Sequence, residues 1–403
     1  MTQTEHVAGP QPVPGSTAQP TGARAYVDGV IAVVGMEMRQ RLRSRGWYIM
    51  LALWFVIIGI VTALTWWSWN AQRQANMAWD ANAGSTGPGA LIFEIVLAFV
   101  LLFGLLVAPA FSANAINGDR AGGTLAILQV TLLSSGQILW GKFLASWIAG
   151  IAFLAASVPF LIFGIAQGGL GFGHIAIALL MLAVEIAVVC ALGVGISALA
   201  NRPLFSIVVT YLVVSVLVFG TLIAFGLGTA VSQGKVQANQ MGYAGSYGYD
   251  GYGAEAGTDE PLPPDYIAPL PGNITDRDGD RYCYGPIEEF NTVHMERVAW
   301  MLGMNPFVVI ADAIPYQIPV QENGGVTGVF GVISQGARYA QAGPEATYPC
   351  ANGKLTAEYT EQKTPLWPLG LGLQLLLAAG VVAMGWRALR TPARKLPRGT
   401  RVA

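Results

Sequence analysis

Charge is scarce in this 403-residue chain: Asp, Glu, Lys and Arg make up 11% of it and hydrophobic residues 53%, a balance too apolar for a water-soluble domain of that length. Histidine is scarcer still. His6, His174 and His294 are widely separated and share no metal-ligand spacing with cysteine or carboxylates, which argues against a metal centre. A phosphate-binding P-loop is missing. The Gly-Lys pairs that begin at Gly141, Gly234 and Gly353 are followed by Phe143, Val236 and Leu355, so none supplies the hydroxyl that holds magnesium. The apolar stretches contain no paired Asp, no Ser/His pair and no HExxH helix, which leaves an intramembrane enzyme without support. The chain reads as a non-enzyme with no cofactor of its own and no nucleic-acid partner.

What is abundant is apolar sequence in long blocks. A helix needs about 20 mostly apolar residues to cross a hydrocarbon core of about 30 Å. Six blocks meet that length, at 47–67, 91–112, 144–166, 175–198, 204–227 and 366–386. The expected fold class is an all-α polytopic membrane protein with six transmembrane helices.

Orientation follows from the basic residues, which are retained on the cytoplasmic side. Arg39, Arg41, Arg43 and Arg45 precede span one; Arg120 and Lys142 lie between spans two and three; Arg202 lies between spans four and five. Arg387, Arg390, Arg394, Lys395, Arg398 and Arg401 follow span six on that same side, whereas the short opposite loops hold only Arg73. Both termini are therefore expected in the cytoplasm, in a plasma membrane of bacterial type. Residues 1–24 are rich in Gly, Pro, Thr and Gln and read as a disordered tail; 389–403 form a basic cytoplasmic tail. Residues 25–46 read as an interfacial helix, with Val27, Val30, Ile31, Val34, Met38 and Leu42 as its apolar stripe and four arginines in reach of phosphates.

The segment 229–364 between spans five and six then falls outside, with 16 Asp and Glu against 7 Lys and Arg. Its Gly- and Tyr-rich opening reads as a linker without a packed core. Cys283 and Cys350 both lie in this segment, where an oxidising environment permits a disulfide, while Cys190 falls inside span four as packing. The run DRDGDRY at 276–282 alternates carboxylates as a calcium loop does, but Arg281 stands where such a loop needs Gly and Ile287 where it needs Glu, so a solvated acidic turn is the better reading.

The stretch 116–142, INGDRAGGTLAILQVTLLSSGQILWGK, carries the most specific information. Asp119 and the Gly122-Gly123 pair interrupt the helix leaving span two, Thr124 can cap a short apolar helix, and Ser134 or Ser135 can cap the helix that enters span three. Leu125, Ile127, Leu128 and Leu132 are too apolar to face water and must pack on the chain itself or on a docked protein. The stretch resembles a motif of the ABC-2 type permease family, I-x-x-E-R-x-x-G-T-L-x-x-L-L-x-T-P-L-S followed by G-K. Ile116, Arg120, Gly123, Thr124, Leu125, Leu128, Thr131, Leu133, Ser134, Gly141 and Lys142 fit it, while Asp119, Gln129 and Leu132 depart mildly. The resemblance implies that 113–142 is a cytoplasmic coupling hairpin, in which Asp119, Arg120, Gly123, Thr124, Leu125 and Leu128 contact an ATPase. It also implies separate ABC ATPase subunits that hold ATP and magnesium, a second permease in a homo- or heterodimer, and outward transport of an amphipathic or lipid-linked substrate. The segment 295–318 is similar to that family's external re-entrant element.

Glu185, near the middle of span four, and Glu94, towards the outer end of span two, are the candidate intramembrane polar sites, because a buried carboxylate in lipid costs roughly 3 kcal/mol and faces protein or a cavity. Trp66, Trp67 and Trp69 read as an interfacial belt. The competing reading is a membrane-anchored sensor or assembly factor whose external domain binds a ligand; such a protein would have no need of the hairpin.

Overall fold

A computed structural model of the protein describes residues 22–77, 88–123, 133–243, 273–279, 281–315, 328–356 and 364–390. Six of its helical stretches are long and apolar enough to cross a membrane: Arg45–Gln74, Gly89–Ala121, Ser135–Ala166, Phe172–Leu199, Pro203–Val231 and Trp367–Leu389. The chain is a multi-pass membrane protein.

Helix α1 (Ala23–Arg43) lies before the first span and is separated from α2 (Arg45–Met77) by an extended Ser44. α3 (Gly89–Ser112) and the short α4 (Asn117–Ala121) make up the second span, followed by α5 (Ser135–Ala166) and α6 (Phe172–Leu199). The fifth span is composite: α7 (Pro203–Ser215), a π-helical turn Val216–Gly220 and α8 (Thr221–Val231). Half of the most apolar stretch of the second and of the fourth span is buried, against 17% for the first span and 22% for the last, so α3 and α6 are the centre of the bundle. Phe93, Leu97, Leu101, Leu182 and Ile186 form the heart of that core.

The fold is not all-α. Strands β1 (Gln233–Tyr243), β2 (Ile274–Asp278) and β3 (Arg281–Val293) form an antiparallel sheet in the order β1-β3-β2, with Gln233 opposite Val293 and Tyr243 opposite Arg281. This corrects the linker reading of the segment's opening: 233–243 is a strand, while 244–272 lies outside the described residues. Its partner strand follows nearly 40 residues later, so local composition hid the pairing. Tyrosine, read as a mark of low complexity, is a strand former in Tyr243, Tyr282 and Tyr284. Of the acidic run, 276–278 end β2 and 281–282 begin β3; Gly279 takes the left-handed conformation at φ 60°, and the Asp276 carboxylate accepts hydrogen bonds from the backbone N–H groups of Arg277 and Leu355. Among the described residues no group of His, Cys, Asp and Glu could hold a metal ion.

After the sheet, α9 (Trp300–Gly303) and α10 (Pro306–Ala313) turn back into the bundle, and Val309, Ile310 and Ala311 are fully buried in the same core as Phe93. Asn305 anchors this element twice: its Oδ1 accepts from the N–H of Phe307, and its Nδ2 donates to the carbonyl of Val218 (2.7 Å) and to Thr221 Oγ1 (3.0 Å). The π turn supplies that carbonyl, since its widened helical register alters the i→i−4 ladder there. Close approach of α9 to the last helix, α13 (Trp367–Leu389), requires glycine, because a Cβ on Gly370 would lie 1.7 Å from the Gly303 carbonyl oxygen. α11 (Val329–Ala342) and the short α12 (Pro344–Thr347) complete the sheet end.

Candidate functional site

The densest polar network of the described residues sits at the end of the bundle that carries α1 and the C-terminus of α13. α5 begins there with a capping box: Ser134 Oγ accepts from the Gln137 N–H, and the Gln137 side chain accepts from the Ser134 N–H. Gln137 Nε2 also donates to the carbonyls of Ala25 and Tyr26 at 3.2 Å, which lays α1 along α5. Val30 and Val33 bury in that contact, whereas Val27, Ile31 and Leu42 stay exposed, so α1 has one apolar face on protein and another at the surface.

Two turns into α5, Lys142 is 1% exposed and meets two carboxylates: Glu37 of α1 at 2.6 Å and Asp119 of α4 at 2.5 Å. One ammonium thus joins three elements. Arg41 adds a fourth charge beside Glu37 and lies 4.8 Å from the centre of the Phe111 ring; burial pushes its guanidinium below the ordinary arginine range, with Glu37 opposing. The cluster of two acids and two bases sums to zero, which is the condition for keeping charges away from water.

α4 is fastened on its other side to the end of α6. Arg120 donates to the carbonyls of Ala200 (2.5 Å) and Ala198 (3.3 Å) and to Asn117 Oδ1 (3.2 Å), which supplies donors for the open carbonyls at the end of that helix. Ser197 Oγ accepts from the N–H groups of Ile116 and Asn117, both at 3.1 Å, and Ser206 Oγ donates to the Ala113 carbonyl at 2.6 Å. α4 stops at Gly122, and Gly123 has φ 74°, a conformation that residues with a Cβ rarely adopt. Thr124, Leu125 and Leu128 lie outside the described residues.

The other two carboxylates singled out from the sequence are far from this cluster. Glu185 is wholly buried in α6, faces Gln374 of α13, and neither of its oxygens has a hydrogen-bond partner of good geometry; Gln374 gives its Nε2 to the Met304 carbonyl at 3.0 Å. Glu94 is 1% exposed at the sheet end. It accepts from the N–H groups of Phe330 (2.9 Å) and Gly331 (3.4 Å) at the start of α11 and lies 3.6 Å from His174 Nε2. A carboxylate at a helix N-terminus satisfies open N–H groups and meets the positive end of the helix dipole. Cys283 and Cys350 are joined by a disulfide, and the Ala351 neighbourhood adds to the sheet through Asn239 N–H to the Cys350 carbonyl and Asn352 N–H to the Gln237 carbonyl.

Sequence reading missed Glu37 and Ser197, and it placed Arg41 in reach of phosphates, whereas Arg41 turns inward beside Glu37 and over the Phe111 ring. A usable signal existed for Glu37: Lys142 is a lone cation directly ahead of the apolar span three, which asks for an acid, and Glu37 is the only carboxylate of the α1 helix besides Asp28.

The family model described as ABC-2 family transporter protein matches residues 31–297, more than half of the chain, from within α1 to the 3-10 turn after β3. No curated protein matches.

Proposed function

The chain belongs to the ABC-2 family of transporter membrane proteins, and on that premise we propose that it is the permease subunit of an ATP-driven exporter whose coupling site is the α4 hairpin and its Lys142 cluster. Permeases of this family typically lack an ATPase of their own, and this sequence has no P-loop, so ATP and magnesium belong to separate ATPase subunits. The observation that carries the reading is the triple junction at Lys142: a push on α4 reaches α1 and α5 through one buried ammonium, and reaches α6 through Arg120.

In this reading the hairpin end, with both termini, faces the cytoplasm of a bacterial cell, as the arginine and lysine distribution favours. Two permeases, identical or related, pair around a path, two ATPase subunits dock beneath, and closure of the ATPases on ATP displaces the hairpins. The path opens outward for an amphipathic or lipid-linked molecule. Glu185 is the polar group of the described spans best placed to face that path or a neighbouring helix.

The test is affinity purification of the tagged chain from its native membrane, with ATPase activity assayed on wild type and on an Asp119→Ala/Arg120→Ala double variant. Co-purification of an ATP-binding-cassette subunit that the double variant loses, or whose turnover it loses, supports the proposal. Absence of any ATPase after mild solubilisation and crosslinking overturns it in favour of a sensor or assembly factor.

A further inference from the structure

A cavity of about 760 Å³ lies between α5, α6 and α13, within the range of roughly 300–1,000 Å³ typical of ligand sites. It exists because α13 packs along α6 and meets α5 at few places, which leaves a wedge open to the side of the bundle. Its walls are apolar, formed by Phe143, Trp147, Val184, Val188, Ala379 and Val382. No carboxylate is among the described residues that line it, and the one permanent charge is Arg390.

The polar groups are confined to the rim at the end carrying α1. Gly136 makes room there: the Tyr26 hydroxyl and Trp386 Nε1 stand 2.9 and 3.6 Å from where a Cβ on Gly136 would be, so two donors face one small space. Arg390 is held beside them, its guanidinium 4.5 Å from the centre of the Trp386 ring. From Arg390 the lining continues along α13 to Leu375, fifteen residues back in the sequence, or about 22 Å at ~1.5 Å per helical residue. That depth equals one leaflet, half of a bilayer of about 40–45 Å including its headgroups.

We propose that this cleft binds an anionic phospholipid, with one acyl chain between α5 and α13 and the phosphate held by Arg390, the Tyr26 hydroxyl and the Trp386 indole N–H. Apolar walls one leaflet deep exclude a free, fully hydrated anion, and Arg390, the one cation among the described residues of the lining, selects negative charge at the rim. Trp140, Leu375 and Trp386 of its lining are exposed, so the cleft opens on the surface of the bundle. This inference is independent of transport: it requires only that the six spans sit in a bilayer.

Native mass spectrometry of the purified full-length chain tests it, after incubation with phosphatidylglycerol or phosphatidylcholine of identical acyl chains. Wild type should retain phosphatidylglycerol about fivefold over phosphatidylcholine, the selectivity expected from one basic side chain at a membrane surface. Arg390→Gln, a change at an exposed helix end, should abolish that preference and leave the protein monodisperse. Ala379→Phe, which fills the cleft from its wall, should remove the tightly retained lipid of either kind. Equal retention of both lipids by wild type, a preference that survives Arg390→Gln, or retention unchanged by Ala379→Phe would each overturn the proposal.

Discussion

At the end of the bundle that carries α1, the polar contacts run between helices that are distant in sequence: Lys142 to Glu37 and Asp119, Arg120 to Ala198 and Ala200, Gln137 to Ala25 and Tyr26. At the opposite end most of them run within one segment, 233–352, as a strand ladder and a disulfide, and only a few side chains such as Glu94, Asn305 and Asp312 reach the spans. The difference separates two mechanical roles. Contacts between elements transmit displacement, whereas the strand ladder and the disulfide bind the sheet into a cap whose link to the spans is α9 and α10, buried in the bundle core.

The largest effect is expected where three elements meet. Lys142→Met removes the buried ammonium that Glu37 and Asp119 share, which should cost about 3–5 kcal/mol and disconnect α1 from α4. Thermal denaturation of the detergent-solubilised protein reads the loss, and hydrogen exchange should show α1 and α4 loosening together. If only one of them loosens, the junction does not act as a unit. Next in size is Cys283→Ser with Cys350→Ser. Opening a loop of 67 residues should destabilise the cap by about 4 kcal/mol on the chain-entropy model while leaving exchange at α4 unchanged. Smaller is Glu94→Gln, which weakens the charged cap of α11 by about 1–2 kcal/mol and should raise amide exchange at Phe330 and Gly331 more than anywhere in the sheet.

Legibility in the sequence followed the same division. The six spans, α1 and the cap at Ser134 were visible because each is a local pattern: apolar length, helical periodicity, a hydroxyl three residues before Gln137. The motif resemblance singled out Asp119, Arg120 and Lys142, yet nothing local pairs Lys142 with Glu37, 105 positions away. The sheet was hidden for a related reason. β1 gains its burial at Ala238 and Asn239 from β3 and from the 350–352 segment, not from its neighbours in the chain, so its composition alone read as linker. Glu94 was recognised as an intramembrane carboxylate, but its partner helix starts more than 230 residues later.

The central claim is that the hairpin end docks the ATPase and the sheet end does not. Site-specific crosslinking tests it most directly, from a cysteine introduced at the exposed Ala121 that ends α4 and, in a second variant, at the exposed Lys354 beside the sheet. The account predicts an adduct with the co-purified ATPase subunit from Ala121→Cys and none from Lys354→Cys; an adduct from the sheet end, or none from the hairpin end while the ATPase remains bound, would contradict it.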